Sequence, residues 1–523
     1  MKSCSQIMEA GSRRELLVDG SPFIILGGEL RNSSASTKEN MEKLCPKARE
    51  FGLNTLLVPI YWELLEPEED NFDFSLLDGH IASARANGLK LVLLWFGTWK
   101  NATSCYVPGW VKSDLSRFPR LQLSSGVNAN AISCFSGEAR NADARAFTQM
   151  MRRIKKMDET QNTVIMVQVE NEVGVLGASR DRCVAAEREF KNTVPLQLLN
   201  YLSGHVDVLT AEMKLALSRS EEKPGGDWEQ IFKNDAAEVF MAWHIAKYIE
   251  HVAASGKKEY ELPLFANAWL IHKDREKPGQ YPSGGPVPKM LDVWKAAAPS
   301  IDFFAPDIYK HDFKSSCDSY SKANGLLFIP ETNWDKRSAA SVFYAIGQPG
   351  GIGFAPFAID DILGTEHPLS ETYRILSRMT GLIADAQRRS AIVAFYQQEK
   401  NQEWSLDAGG YSLIVKPRGE PDVQAVPAGG LIIRLGDGVF LIAGRNALIE
   451  FSTKESRTSN IEFISVEEIC VLDDKIIPGR RLNGDETYHG KTVILNEALG
   501  LLRVRLNLKT IPVQHQSGWE FVD

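Results

Sequence analysis

The chain has 523 residues, 44% of them hydrophobic and 24% charged, with a formal net charge of −8. That length allows a large core and two or three domains, and the ordinary composition excludes a wholly disordered chain. The acidic balance argues against nucleic acid or an anionic membrane as partner, and no apolar run reaches the roughly 18 residues that cross a bilayer.

The N-terminal stretch Met1–Gly11 has no apolar core of the kind a secretory signal carries. The seven cysteines are scattered and show no CxxC pairing, as expected of reduced thiols in a cytoplasmic protein. The sequons at Asn32 and Asn101 follow candidate strand ends and read as unglycosylated. Strands buried on both faces appear as continuous apolar runs. Such runs occur at Pro22–Glu29, Thr55–Trp62, Lys90–Gly97, Thr163–Glu172, Leu262–Trp269, Asp302–Tyr309, Gly325–Glu331 and Gly351–Phe357. Amphipathic segments alternate with them: Thr37–Phe51, Leu76–Asn87, Ala142–Lys156, Ala236–Ala254, Val287–Ala298, Lys314–Asn324, Ser338–Ile346 and Glu371–Ala386. This alternation predicts an α/β protein with a (β/α)8 TIM barrel over residues 1–388. The fourth strand is followed by a long insertion, about 175–234, with apolar periodicity near Leu196–Leu202 and Leu209–Leu217. After residue 388 the runs become short and are punctuated by Gly, Asp and Asn: Tyr411–Val415, Gly430–Leu435, Gly438–Ala443, Ile461–Val471, Thr492–Leu495 and Leu501–Leu508. They predict a C-terminal all-β domain, sandwich-like, over 389–523.

Two strand ends carry carboxylates. The fourth closes on Glu170-Asn171-Glu172 and the seventh on Glu331. Barrel enzymes place their catalytic groups at the carboxyl ends of the strands, and a buried carboxylate is costly unless paired or used. Two carboxyl groups facing one bond are what glycoside hydrolysis needs, one as acid/base and one as nucleophile or base. Strict alternation puts Glu170 and Glu172 on one face and Asn171 on the other, but alternation weakens at strand ends, so which of them points inward stays open. Trp62, Trp95, Trp99, Trp269 and Trp334 lie at or near strand ends, where some could stack on sugar rings. No HxH or HxxxH spacing occurs, so no metal and no cofactor is expected.

The stretches Leu17–Phe23, Gly27–Ser34, Tyr61–Pro67, Phe72–Phe74, Gln168–Glu172 and Phe354–Asp361 resemble the bacterial-type branch of glycoside hydrolase family 35 β-galactosidases. That group is in clan A and is kin to family 42, and the resemblance covers roughly residues 15–390. It implies Glu172 as the acid/base, Glu331 as the nucleophile and Asn171 as a partner of the sugar 2-hydroxyl. It also implies Tyr309, at the sixth strand end, as a tyrosine bonded to the nucleophile. Glu29, Tyr61, Glu63, Trp95, Trp99, Lys100, Asn101 and Trp334 are the further candidate substrate contacts. The better-known branch of family 35 has Trp-Asn where this chain has Trp62-Glu63. It has Cys-Ala-Glu-Trp where this chain has Trp99-Lys100-Asn101-Ala102. The expectation is a retaining exo-β-glycosidase, foremost a β-galactosidase acting on an oligosaccharide or glycoside. The alternatives are a β-glucosidase or transglycosylase acting on β-glucosides and a non-catalytic carbohydrate-binding barrel. Whether the protein forms a homo-oligomer stays open.

Overall fold

A computed structural model describes residues 4–508, except 12, 219–224, 274–275, 310–311, 419–424, 454–460 and 473. The chain divides into two compact units. The first is residues 1–334 with 349–366, and the second is 335–348 with 367–523.

The first unit is built on eight parallel strands: β1 (Ile25–Glu29), β2 (Thr55–Tyr61), β3 (Lys90–Lys100), β4 (Val164–Asn171), β5 (Leu264–Trp269), β6 (Phe303–Ile308), β7 (Leu327–Ile329 and Glu331–Thr332) and β8 (Gly351–Phe354). Each coincides with one of the apolar runs. Pro330 divides β7, since proline has no N–H to give a ladder. The first half pairs with β8 and the second with β6, so the nine-segment sheet begins and ends on the same strand. That closes the barrel. Every residue of β2 and β4 is buried, which is why these strands show no polar alternation.

The helices of this unit between the strands are α1 (Lys38–Phe51), α2 (Ser75–Ala86), α3 (Gly137–Asp158), α4 (Ala236–Lys257), α5 (Leu291–Ala297) and α6 (Phe313–Asn324). Thr37 caps α1 by accepting from the Asn40 amide, and Gly52 ends it in the left-handed region. The insertion after β4 carries short helices at Val184–Phe190, Leu196–Gly204, Ala211–Ser218 and Trp228–Phe232. A three-stranded antiparallel sheet (Gln6–Ala10, Arg13–Val18, Ser21–Pro22) precedes the barrel strands and was not anticipated from the sequence.

The second unit contains helices α7 (Ser338–Gly347), α8 (Pro368–Leu376) and α9 (Thr380–Arg388), then two antiparallel sheets of six and four strands. Its beginning therefore lies earlier than residue 388, because these helices group with the strands that follow them. Both sheets feed one apolar core. Phe395, Ile432, Phe440, Ile442, Val466 and Val504 come from the larger sheet, and Leu413, Val415, Ile449, Phe451 and Val493 from the smaller. No helix among the described residues is long and apolar enough to cross a membrane.

Candidate active site

The carboxyl ends of the barrel strands bring Glu29 (β1), Lys100 (β3), Asn171 and Glu172 (β4), Asp307 (β6) and Glu331 (β7) together, all buried. One oxygen from each of Glu172, Asp307 and Glu331 lies within 4.8 Å of the others. Three carboxylates this close would suit a cation. Here the ammonium group of Lys100 supplies the positive charge and Asn101 donates its amide to Glu172, so the cluster is answered by protein groups.

Irregular backbone sets the directions of these side chains. From Trp95 to Lys100 β3 advances five residues while β4 advances only from Val169 to Asn171, so β3 bulges outward between them. Such a bulge re-aims the residues beyond it. Lys100 thereby turns toward the carboxylates. Glu170 and Glu172 both have positive φ, 61° and 45°, and Asn101 follows at 50°. Left-handed backbone at residues other than glycine is costly and gathers at functional sites. It also breaks the alternation on β4. Glu172 faces the cluster, while Glu170 turns the other way and accepts the Thr98 and Trp99 amides at 3.1 and 2.6 Å.

The hydrogen bonds orient each acid. Tyr309 donates its hydroxyl to Glu331 Oε1 at 2.6 Å, the bond expected at this strand end. Asn267 Nδ2 donates to Asp307 Oδ2 at 2.6 Å, while Asn267 Oδ1 accepts the Glu172 amide at 2.9 Å. Burial pushes the Glu172 carboxyl up to about 8, and the charge of Glu331 adds to this against Lys100, Asp307 and Asn101, which pull it down. Glu29 and Asp307 are held well above the usual carboxylate range, first by burial and then by Glu331. Burial works against charge on Lys100, yet Glu331, Glu29, Glu172 and Asp307 together keep its ammonium above the ordinary value. Several buried polar atoms here have no protein partner: both amide atoms of Asn171, Glu29 Oε1 and Glu331 Oε2. Buried polar atoms are rarely left so, and these could bind the hydroxyls of a sugar.

Other candidates fall elsewhere. Trp95 is fully buried, donates to Asp143 on α3 and packs on Phe147 of the same helix, so it is wall and not a sugar platform. Trp99 is also buried, edge-on to Tyr248 of α4, with its indole N–H on the Ile132 carbonyl. Trp95 is the last residue in regular register before the bulge and Trp99 lies within it, and both rings pack on the surrounding helices. Trp62 is core, bonded to Glu66 at 2.8 Å. Glu63 is partly exposed and pairs with Lys112 at 2.9 Å. Tyr61 is buried and stacks on Tyr106. Trp334, three residues past Glu331, keeps a 40% exposed ring. A glycan on Asn101 is incompatible with its amide bond to Glu172. Asn267 and Asp307 escaped the sequence reading as parts of the site. Their signal was a polar residue set inside an apolar run near a strand's carboxyl end.

This arrangement has relatives. Residues 32–205 match the profile of glycoside hydrolase family 42, described as β-galactosidase. That match spans the strands and helices from just after β1 into the insertion after β4. Residues 369–494 match a domain of unknown function, DUF5597. A β-galactosidase of Xanthomonas manihotis is 35% identical over 81 residues, 14% of this chain and 13% of that one. β-Galactosidase-1-like protein 3 of Homo sapiens is 25% identical over 279 residues, 49% of this chain and 40% of that one. In solved structures, the β-galactosidase of Bacillus circulans sp. alkalophilus superposes with a TM-score of 0.50 at 15% identity, covering 69% of this chain and 57% of that one. That likeness is one of fold. The chain spans less than two thirds of each of these proteins.

Proposed function

We propose that the barrel is a retaining exo-acting β-glycosidase, foremost a β-galactosidase of the family 35 bacterial-type branch. The observation that carries this reading is the pair Glu172 and Glu331, from two strand ends, with carboxylate oxygens within 4.8 Å. Retaining enzymes hold their two carboxyl groups about 5–5.5 Å apart, and inverting enzymes hold them farther apart to admit water. The match to a β-galactosidase profile supports the substrate class.

In this reading Glu331, held by Tyr309, attacks the anomeric carbon. Glu172, protonated at neutral pH, gives its proton to the departing oxygen. The resulting glycosyl ester on Glu331 is cleaved when Glu172, now a base, takes a proton from water. Asn171, with both amide atoms free of protein partners, meets the 2-hydroxyl. Lys100 and Glu29 are placed to bind hydroxyls farther round the ring.

Lys100 and Asn101 stand where the better-known branch has Ala-Glu, which favours a second reading, β-glucoside specificity with the same two carboxylates. Matched nitrophenyl β-galactoside and β-glucoside decide between them. A kcat/KM ratio of galactoside to glucoside well above one is expected. A ratio well below one overturns the galactosidase assignment, and no turnover of either overturns the glycosidase.

A further inference from the structure

A second buried polar cluster lies on the outer side of β4. The side chains of Glu170 and Asp143 are fully buried and lie against each other. Asp143 Oδ1 accepts Trp95 Nε1 at 2.8 Å, and Oδ2 accepts the Thr98 hydroxyl at 2.7 Å. The Tyr248 hydroxyl lies 2.8 Å from the Thr98 oxygen and also reaches Asp143 Oδ2, at 3.4 Å. Asp143 is thus held on both oxygens by neighbouring donors. The other contacts of Glu170 are the Thr98 and Trp99 amides. Gln168 Nε2 braces the left-handed Glu170 peptide by donating to its carbonyl at 3.0 Å. Gly97 sits at the centre. A Cβ there would fall 2.3 Å from Trp95 Nε1, 2.6 Å from Glu170 Oε1 and 2.9 Å from Asp143 Oδ1.

The segment that Glu170 grips leads directly into Lys100 and Asn101. We propose that Glu170, with Asp143, is a positioning residue for the acid/base: it holds the bulge of β3 so that Asn101 stays on Glu172. This rests on the glycosidase reading above and adds a residue that touches neither substrate nor the reacting atoms. The bond from Asn101 favours the ionised form of Glu172, and so opposes the upward push of burial. Letting Asn101 go raises the pH at which Glu172 gives up its proton. It also leaves the second step, where Glu172 must be a base, with a displaced carboxylate. Burial and the charge of Asp143 hold the Glu170 carboxyl well above its usual range, which agrees with a proton shared within the pair.

The test is a mutant cycle read as kcat/KM against pH, on a β-galactoside with an activated aryl leaving group and on an alkyl β-galactoside. Glu170→Ala and Asn101→Ala are each expected to lose about 10- to 100-fold on the alkyl substrate, with less effect on the aryl one. Both should move the basic limb upward by at least about half a pH unit. Glu170→Ala/Asn101→Ala should go no further than either single change, because the two act through one bond. Glu170→Gln should stay closer to the wild-type profile than Asn101→Ala does, since its carbonyl still accepts from Trp99 although the Thr98 amide loses its acceptor. Additive losses, or an unmoved basic limb in Glu170→Ala, overturn the inference. If Glu170→Ala does not fold, a Glu170→Gln profile shifted as far as that of Asn101→Ala overturns it instead. An active wild type with additive variants defeats the inference alone, whereas a wild type silent on every glycoside defeats the functional reading and the inference with it.

Discussion

Two buried polar clusters lie on opposite faces of β4, and they differ in how they are satisfied. The inner one holds Glu29, Asn171, Glu172, Asp307, Glu331 and Lys100, and leaves amide and carboxylate atoms of Asn171, Glu29 and Glu331 without partners. The outer one holds Glu170, Asp143, Trp95, Thr98 and Tyr248, and the polar atoms of these side chains have partners. Burial alone does not tell them apart. The difference lies in the free hydrogen-bonding capacity, which on the inner side is available for a sugar and on the outer side is spent on geometry.

The sharpest way to break the comparison is to remove a group from the inner cluster that has no substitute. Glu331→Gln should lower turnover by about 10⁴-fold or more, with the fold intact by circular dichroism. In Glu331→Gly, azide should restore turnover with inverted product, because a small anion can fill the vacated space. Wild-type turnover in Glu331→Gln would place the nucleophile elsewhere. Next is Glu172→Ala, expected to cost about 10²- to 10⁴-fold on alkyl glycosides and much less on dinitrophenyl glycosides, whose leaving group needs no proton. Equal losses on both would return Glu172 to a structural role.

The third prediction is thermodynamic. With the carboxyl of Glu172 raised to about 8, the folded state holds a proton that the unfolded chain has released. Stability therefore falls as pH rises from the ordinary carboxylate range to about 8, and changes no further above it on this account. The acid must also carry its proton to act, so kcat/KM should decline above about pH 8. Glu172→Gln, which cannot ionise, should melt higher than wild type at pH 9 by at least about 2–4 °C, the effect of about 1 kcal/mol on a domain of this size. The gain should vanish near pH 4.5. A gain independent of pH would mean that repacking, not charge, is responsible. The smallest effect is expected outside both clusters. Glu63→Gln loses only the partly exposed pair with Lys112 and should change kcat/KM by no more than about 5-fold, the equivalent of about 1 kcal/mol. A larger loss would make Glu63 a sugar contact.

The barrel was legible because parallel strands covered on both faces are written as unbroken apolar runs. Glu172 and Glu331 were legible because a carboxylate at the end of such a run has no cheap structural explanation. Tyr309 was reached through the family resemblance and not through the pattern of the run, and its bond to Glu331 is present. What misled was proximity to the end of β3. Trp95 and Trp99 stand near a strand end, as a stacking platform would, but Trp95 packs on a helix from its regular strand position, and the bulge that follows carries Trp99 outward and Lys100 in. No periodicity records a bulge. On β4 the left-handed backbone at Glu170 and Glu172 decided between them: they share a face by counting and occupy opposite faces in fact. The hairpin of Gln6–Ala10 and Arg13–Val18 was missed because its mostly half-exposed strands lack an apolar run.

The break in β7 has a mechanical consequence. Pro330 separates Glu331 from the part of the strand that joins β8, and the remaining segment is zipped to β6, with Glu331 opposite Asp307. Tyr309 comes one residue after β6 ends. The Glu331 carboxylate and the Tyr309 hydroxyl that holds it thus ride on one body. The two groups therefore keep their spacing through the β6 ladder and do not depend on the Leu327–Ile329 half of the strand.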